Sequence, residues 1–89
     1  MPNIQFFEND EYDDRGKHVI SFWTKVDEQK INCTISYDAL RARFGLTDQY
    51  NPIPCFTAHR RRIEVLAESL ILRSRYESNG TILIKREDL

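Results

Sequence analysis

Two adjacent strands are predicted by residues 18–36, which read HVISFWTKVDEQKINCTIS. Both ends of this stretch are rich in β-branched and aromatic residues, which suit a pleated, half-buried surface. The polar link Asp27-Glu28-Gln29 separates two segments in which apolar and polar side chains alternate. Alternation on both sides of a short polar link is typical of an antiparallel hairpin. One face of this hairpin carries the apolar side chains of Ile20, Phe22, Val26, Ile31, Cys33 and Ile35.

Two helices are predicted after the hairpin. At Ser36 the apolar spacing changes from two residues to about 3.6, which indicates the start of a helix. The Ser36 hydroxyl can cap that helix, and Gly45 can end it in the left-handed conformation. A longer helix is predicted from Pro54 to about Tyr76, because proline is favoured at the first helical position.

Shorter strands are predicted towards both ends of the chain. Ile4, Phe6 and Phe7 favour a first strand, which is followed by a turn at residues 13–16, and residues 81–85, TILIK, form the last strand. The element order is therefore β-β-β-α-α-β. We expect a single α+β domain over residues 1–89, with two helices packed on one face of a mostly antiparallel sheet of three to four strands.

Composition narrows the class of protein. The 89 residues are 40% hydrophobic and 30% charged, which is typical of a small globular domain. No stretch contains the roughly 20 apolar residues of a membrane span, and the first residues lack the basic start and apolar centre of a signal peptide. Two cysteines are too few for a disulfide framework. The sequence therefore predicts a cytoplasmic protein without a membrane partner.

Charge is unevenly distributed along the chain. The net charge of −1 argues against a generic binder of polyanions. However, residues 1–17 carry five acidic and two basic side chains, whereas residues 54–76 carry five basic and two acidic ones. This pattern is compatible with an acidic N-terminal segment that lies against the basic helix of its own chain or of a neighbour.

Three parts of the sequence resemble a known family. They are CTISYDAL at residues 33–40, the helix positions Phe56, His59-Arg60, Ile63-Glu64 and Leu66-Ala67, and GTILI at residues 80–84. Together they resemble the small bacterial proteins grouped as domain of unknown function 1488. The resemblance covers nearly the whole chain and implies a compact α+β fold with an antiparallel sheet. It implies no activity, cofactor or catalytic residue.

Cysteine and histidine offer one candidate for chemistry. Cys55 and His59 are four residues apart on the predicted helix, so a nucleophile and a base could share one side of it. A structural role is the favoured alternative, with Cys33 in the core and Cys55 an ordinary residue of the first helical turn. The spacing of these cysteines with His18 and His59 matches no zinc motif. We predict no catalytic residue, no metal site and no cofactor.

The long helix offers a candidate nucleic-acid surface. Its members are Arg60, Arg61, Arg62 and Arg73, since guanidinium groups suit phosphates. The three consecutive arginines point about 100° apart, so they spread around the helix instead of lining one stripe. Glu64 is placed for ion pairs with the first two, and Glu68 lies one turn beyond it. We therefore favour a solvated helix over a nucleic-acid contact.

A second apolar stripe offers a candidate protein interface. Val65, Leu72 and Tyr76 face away from the main apolar side of the long helix, and Trp23 lies on the second face of its strand. They either pack against the short helix or the N-terminal segment, or form an interface in a homodimer or with a protein partner. We predict a non-enzymatic protein that acts through such macromolecular contacts. The alternatives are a nucleic-acid-associated regulatory protein and a Cys/His enzyme.

Overall fold

A computed structural model describes residues 2–47 and 50–88 of the chain. The strands are β1 (Ile4–Phe6), β2 (Tyr12–Asp14), β3 (Val19–Val26), β4 (Gln29–Ser36) and β5 (Ile82–Ile84). The helices are α1 (Tyr37–Phe44), α2 (Ile53–Ala58) and α3 (Arg60–Leu72), followed after β5 by a 3₁₀ turn over Arg86–Asp88. The fold is α+β with a mostly antiparallel sheet, as the sequence predicts.

The hairpin of β3 and β4 forms the centre of the sheet. The two strands pair antiparallel along their whole length, from Val19 opposite Ser36 to Val26 opposite Gln29. The link between them has two residues rather than the predicted three, because Gln29 already belongs to β4. Asp27 enters this tight turn with a φ of 55°, a conformation that aspartate tolerates better than most residues.

Two short strands pair with the outer edge of β3, where the sequence predicts only one. β1 pairs antiparallel with the end of β3, with Ile4 opposite Val26. β2 pairs antiparallel with the start of β3, with Tyr12 opposite Ser21. The sheet therefore has five strands, which corrects the prediction of three to four. The sequence does not predict β2, because the residues Tyr-Asp-Asp have no strand pattern of their own. They form a strand only by pairing with β3.

The last strand has a different direction from the others. β5 pairs in parallel with β4, on the side of β4 that faces away from β3, with Cys33 opposite Ile82 and Ile35 opposite Ile84. A parallel partner requires a crossover connection, and α1, α2 and α3 all lie in it. They pack over one face of the sheet. The core between the layers includes Ile20, Phe22, Cys33, Ile35, Leu40, Phe56, Ile63, Ala67, Ile82 and Ile84, all of which are fully buried.

Helix α1 has the predicted ends. The Ser36 hydroxyl accepts a hydrogen bond from the backbone N–H of Ala39 at 3.0 Å. Gly45 follows the helix with a φ of 71°, where a side chain would strain the backbone.

The predicted helix from Pro54 to Tyr76 is wrong in two respects. It is broken at His59, whose backbone N–H bonds to the Phe56 carbonyl while its ring Nδ1 donates to the carbonyl of Cys55 at 2.9 Å. It also ends at Leu72, because Ser74 takes a φ of 54° and the N–H of Arg75 bonds back to Leu70. This is a Schellman ending with serine where glycine is usual, so the sequence carries no stop signal there.

Candidate interaction surfaces

Arg60, the first residue of α3, is held by three carboxylates. Its guanidinium lies 2.7 Å from Asp10, 3.0 Å from Glu11 and 2.9 Å from Glu64, and we call these four residues the Arg60 cluster. The guanidinium also donates to the carbonyl of Phe7. Each side chain in the cluster is less than one-fifth exposed. The acidic N-terminal segment therefore lies against the helix of its own chain, one of the two arrangements that the charge pattern allows.

The environment of Arg60 also fixes its charge. Burial disfavours the cation, but hydrogen bonds to Glu64 and Asp10 outweigh this effect and raise the pKa of the guanidinium. The guanidinium carbon lies 5.5 Å from the ring centre of Phe56 and 5.9 Å from that of Phe22, so the cluster rests on the core. All three guanidinium nitrogens of Arg60 bond carboxylates or the Phe7 carbonyl of the same chain, which leaves little of the group open to a phosphate. The structure thus removes it from the predicted set of nucleic-acid contacts.

The other predicted arginines are exposed but do not form one patch. The Arg61 side chain is 76% exposed and lies 3.6 Å from Glu64. Arg62 extends over the ring of Phe44, with its guanidinium carbon 5.3 Å from the ring centre. Arg73 folds back on its own helix and donates to the Ser69 carbonyl and hydroxyl. These cations lie in different directions, so α3 presents no continuous basic stripe.

The outer face of α3 carries exposed apolar side chains. Val65 is 49% exposed and Leu72 is 45% exposed, and they lie two turns apart on the side opposite the buried Ile63 and Ala67. Tyr76, just after the helix, is 39% exposed. Val65 also borders a shallow cavity of about 240 Å³ between α3 and the end of α1, together with Arg43, Phe44, Arg62 and Leu66. We use "α3 outer face" for Arg61, Arg62, Val65, Ser69 and Leu72.

The structure separates Trp23 from this face. Trp23 lies on β3 between the inward-facing Phe22 and Thr24, so it projects from the sheet on the side away from the helices. It belongs to what we call the open sheet face, which the described helices do not cover. From the edge formed by β1 and β2 to the edge formed by β5, this face carries Gln5, Tyr12, Asp14, Val19, Ser21, Trp23, Lys25, Lys30, Asn32, Thr34 and Leu83.

Aromatic side chains cluster on the open sheet face. Trp23 is half-buried, Tyr12 is 65% exposed and Phe7 is 41% exposed. Tyr12 is opposite Ser21, two residues from Trp23, which makes the two aromatic residues diagonal neighbours on one face. The ammonium of Lys30 lies 4.6 Å from the ring centre of Trp23 and 5.7 Å from that of Phe7. This arrangement is a cation–π contact between the exposed Lys30 and the half-buried Trp23, with Phe7 beside them.

A groove continues this face towards the edge formed by β5. It has a volume of about 330 Å³, and Val19, Asn32, Thr34 and Leu83 form its floor. Lys17 stands at one end, and the turn at residues 77–81 forms the far wall. The Asn32 amide donates to the Ser21 hydroxyl at 2.6 Å and is directly opposite Trp23. The groove and the aromatic side chains therefore form one continuous surface.

Cys55 and His59 are neighbours but make separate contacts. The Cys55 thiol donates to the carbonyl of Phe44 at 3.4 Å, and the His59 ring bonds the backbone of Cys55 and packs on Phe44. Burial raises the pKa of the Cys55 thiol. Burial, reinforced by Asp10, raises the pKa of Cys33 to about 12. Both effects favour the thiol over the nucleophilic thiolate.

We expect both cysteines to react slowly in the folded protein. At pH 8, iodoacetamide should alkylate Cys55 more slowly than a free cysteine, and it should alkylate Cys33 only after unfolding, because a raised pKa and burial both reduce the accessible thiolate. Pulsed alkylation followed by mass spectrometry measures both rates. The same pulse in concentrated urea provides the control, in which the two rates should converge. A Cys55 that reacts faster than free cysteine would favour the Cys/His enzyme.

Residues 2–47 and 50–88 contain neither a cluster of metal ligands nor a membrane-spanning helix. No three histidine, cysteine, aspartate or glutamate side chains of this part of the chain are grouped so that they could hold a metal ion. None of the helices described is both long and apolar enough to cross a membrane.

Comparison with known proteins identifies the family. The family model described as protein of unknown function DUF1488 matches residues 4–84. The chain belongs to the DUF1488 family. Its fold is similar to the crystal structure of a DUF1488 protein of unknown function from Shewanella loihica PV-4, with a TM-score of 0.82 and 25% sequence identity over 93% of this chain and 92% of that one. No curated relative matches the sequence.

Proposed function

We propose that this DUF1488 protein is a non-enzymatic, cytoplasmic protein that acts through macromolecular contacts, and that its first partner is a second copy of itself. The observation that carries this proposal is the exposure of Val65 and Leu72 on the α3 outer face. The two side chains lie on one side of the helix, each nearly half exposed, and exposed apolar surface on one side of the molecule supports a contact there. The thiol environments of Cys33 and Cys55 support the non-enzymatic part of the proposal.

The order of side chains along α3 suits pairing with itself. In an antiparallel pair of helices with a two-fold axis between Glu68 and Ser69, Val65 of one copy faces Leu72 of the other, and the reverse contact is identical. The small side chain of Ser69 lies near the axis and permits close approach. The same register places Arg61 beyond the end of the partner helix, at the polar edge of the pair. The face therefore offers matched apolar contacts and a polar rim.

Overall charge does not oppose this association. The net charge is −1, so two copies repel each other little at long range. The Arg60 cluster also neutralises Glu64 within its own chain, and Arg73 folds back onto Ser69 of the same helix. An interface built on one 13-residue helix is small, so we expect a dimer that dissociates at micromolar concentration.

Leu72→Glu should dissociate the dimer without unfolding the chain. Leu72 is outside the core, so the folded monomer tolerates glutamate, whereas the dimer would bury an unpaired carboxylate opposite Val65. The dissociation constant should rise at least about a hundredfold, equivalent to about 3 kcal/mol. Sedimentation velocity over a series of protein concentrations measures this change, and circular dichroism checks folding.

Ala42→Glu provides the matched control. Ala42 is an exposed residue of α1, so the control adds the same charge to a helix outside the proposed interface. It should leave the dissociation constant unchanged. A wild-type protein that stays monomeric at millimolar concentration, or a control that dissociates the dimer as strongly as Leu72→Glu, would contradict self-association through α3.

A further inference from the structure

We propose that the open sheet face binds single-stranded nucleic acid. This proposal goes beyond self-association and concerns the opposite side of the molecule, since α3 and the open sheet face are on different sides of the sheet. A dimer formed through α3 would direct both open sheet faces outward. The sequence-based alternative places nucleic acid elsewhere, on the arginines of the long helix.

The aromatic side chains provide the first argument. Proteins that bind single strands stack successive bases on exposed aromatic rings, which requires at least two rings on one surface. Tyr12 and Trp23 meet this requirement, because diagonal neighbours on a sheet are about 7–8 Å apart. Phe7 follows β1 next to the Phe6–Thr24 pair and extends the aromatic surface towards the outer edge.

The charges on this face provide the second argument. Lys25 lies 4.0 Å from Glu28, and Glu77 in the groove wall lies 3.8 Å from Lys85. By contrast, Lys17 and Lys30 have no carboxylate within ion-pair distance in the part of the chain that the structure describes. Asp14, opposite Val19, is a carboxylate of the same face and accepts a hydrogen bond from the backbone N–H of Lys17 at 3.3 Å. Two cations without an ion-pair partner therefore stand at the ends of the surface that contains Trp23 and the groove. The two lysines are thus placed to contact backbone phosphates on either side of the stacked bases.

Polar groups in the groove provide the third argument. Asn32 and Thr34 lie in its floor, and Asn79 and Thr81 lie in its wall. The Asn32 amide N–H groups donate to Ser21 and Phe22, and the Thr34 and Thr81 hydroxyls donate to Ile82 and Asn79. The acceptor oxygens of Asn32, Thr34 and Thr81 can bond donors on the edges of unpaired bases, which a duplex hides. A stack on Tyr12 and Trp23 would continue into this groove. The combination therefore suits a single strand rather than an apolar protein surface.

Lys30 covers the Trp23 ring and must move away before a base can stack on that ring. In the structure its ammonium lies over the Trp23 ring. Lysine has a flexible stem, so the ammonium can move from the ring to a phosphate when a base takes its place. The backbone under Trp23 is rigid by comparison, because its N–H donates to Asp10 at 2.9 Å and Asp10 belongs to the Arg60 cluster. The cluster thus positions the aromatic surface without contacting the ligand.

The intrinsic fluorescence of Trp23, the one tryptophan of the chain, tests this proposal directly. Titration with a ten-residue oligothymidylate or oligouridylate should quench it, since a base stacks on the ring. With about two phosphates neutralised, raising salt from 50 to 200 mM should weaken binding about sevenfold. A self-complementary DNA duplex of the same length should bind more weakly than either single strand.

Variants assign the binding to the open sheet face. Tyr12→Ala and Trp23→Leu should each weaken binding at least about fivefold in fluorescence anisotropy with a labelled oligonucleotide. Lys30→Gln should weaken it and reduce the salt dependence. Tyr50→Ala removes an 82% exposed tyrosine between α1 and α2 and should leave binding unchanged. Leu72→Glu should also bind normally, which separates this proposal from self-association.

Three outcomes would overturn the proposal. The first is the absence of quenching and anisotropy change at 100 µM protein. The second is binding that Tyr12→Ala leaves intact but Arg61→Ala abolishes, because the ligand would then contact α3. The third is an oligomer of the protein that Tyr12→Ala dissociates, because the open sheet face would then be a protein interface. Because Tyr12 is exposed, its variant remains informative even if Trp23→Leu fails to fold.

Discussion

Arg60→Met is expected to lower the free energy of unfolding by about 3 kcal/mol. The substitution keeps an apolar side chain over Phe56 but removes the cation that neutralises Asp10, Glu11 and Glu64. Losing one member of a buried ionic group costs about 3–5 kcal/mol because the remaining charges are unpaired. The side chains of this cluster retain 12–19% exposure, which places the expected loss at the lower end. Urea unfolding followed by Trp23 fluorescence measures it.

Arg61→Met is the matched control for Arg60→Met. It is the next residue of α3 and lies 3.6 Å from the same Glu64, but its side chain is 76% exposed. Exposed ion pairs contribute about 0–1 kcal/mol, so the control should lose about 0.5 kcal/mol or less. Equal losses for the two variants would contradict a structural role for the Arg60 cluster. A loss with Arg60→Met alone would support it.

Phe56→Ala is expected to lower the free energy of unfolding by about 4 kcal/mol. Phe56 is fully buried, and its ring centre lies 5.3 Å from that of Phe22 on the sheet. Truncating a buried phenylalanine costs about 3–5 kcal/mol through lost burial and the cavity that remains. Here the ring also supports the guanidinium of Arg60, so part of the loss includes the cluster above it. Urea unfolding by circular dichroism measures the change.

Phe7→Ala is the control for Phe56→Ala. The Phe7 ring is 41% exposed, so the same truncation leaves no internal cavity. Its cost should stay below about 1 kcal/mol, in the range of ordinary surface substitutions. A double variant, Arg60→Met with Phe56→Ala, should lose less than the sum of the two single losses, because the two residues touch. Strict additivity would indicate that the ring and the cluster act independently.

The elements that the sequence predicts correctly are those with local causes. The hairpin of β3 and β4 follows from alternation, and α1 follows from the Ser36 cap and from Gly45. β2 and the ending of α3 have no such cause. β2 exists because β3 offers it an edge, and α3 ends at a serine in a conformation that favours glycine. The break at His59 likewise depends on a hydrogen bond from its ring.

The candidate surfaces are predictable to a lesser extent. Helical spacing correctly places Val65 and Leu72 away from Ile63 and Ala67. Sequence alone groups Trp23 with Val65 and Leu72. Alternation shows that Trp23 faces away from the apolar side of its strand, but it does not show on which side of the sheet the helices pack. Arg60 is grouped with its exposed neighbours for a similar reason. Its partners Asp10 and Glu11 are about 50 residues earlier in the chain. Only the acidic composition of residues 1–17 signals that contact.

The parallel strand β5 has a consequence for the order in which the molecule assembles. Residues 82 and 84 complete the core next to Cys33 and Ile35, yet they leave the ribosome almost fifty residues after them. Until then the edge of β4 that later pairs with β5 has free backbone N–H and C=O groups, and such an edge can pair with a strand of another chain. Pairing across so long a connection is slow to form because loop closure precedes any gain from contacts. Chains of this protein therefore expose the edge of β4 to other strands until β5 has left the ribosome and paired with it.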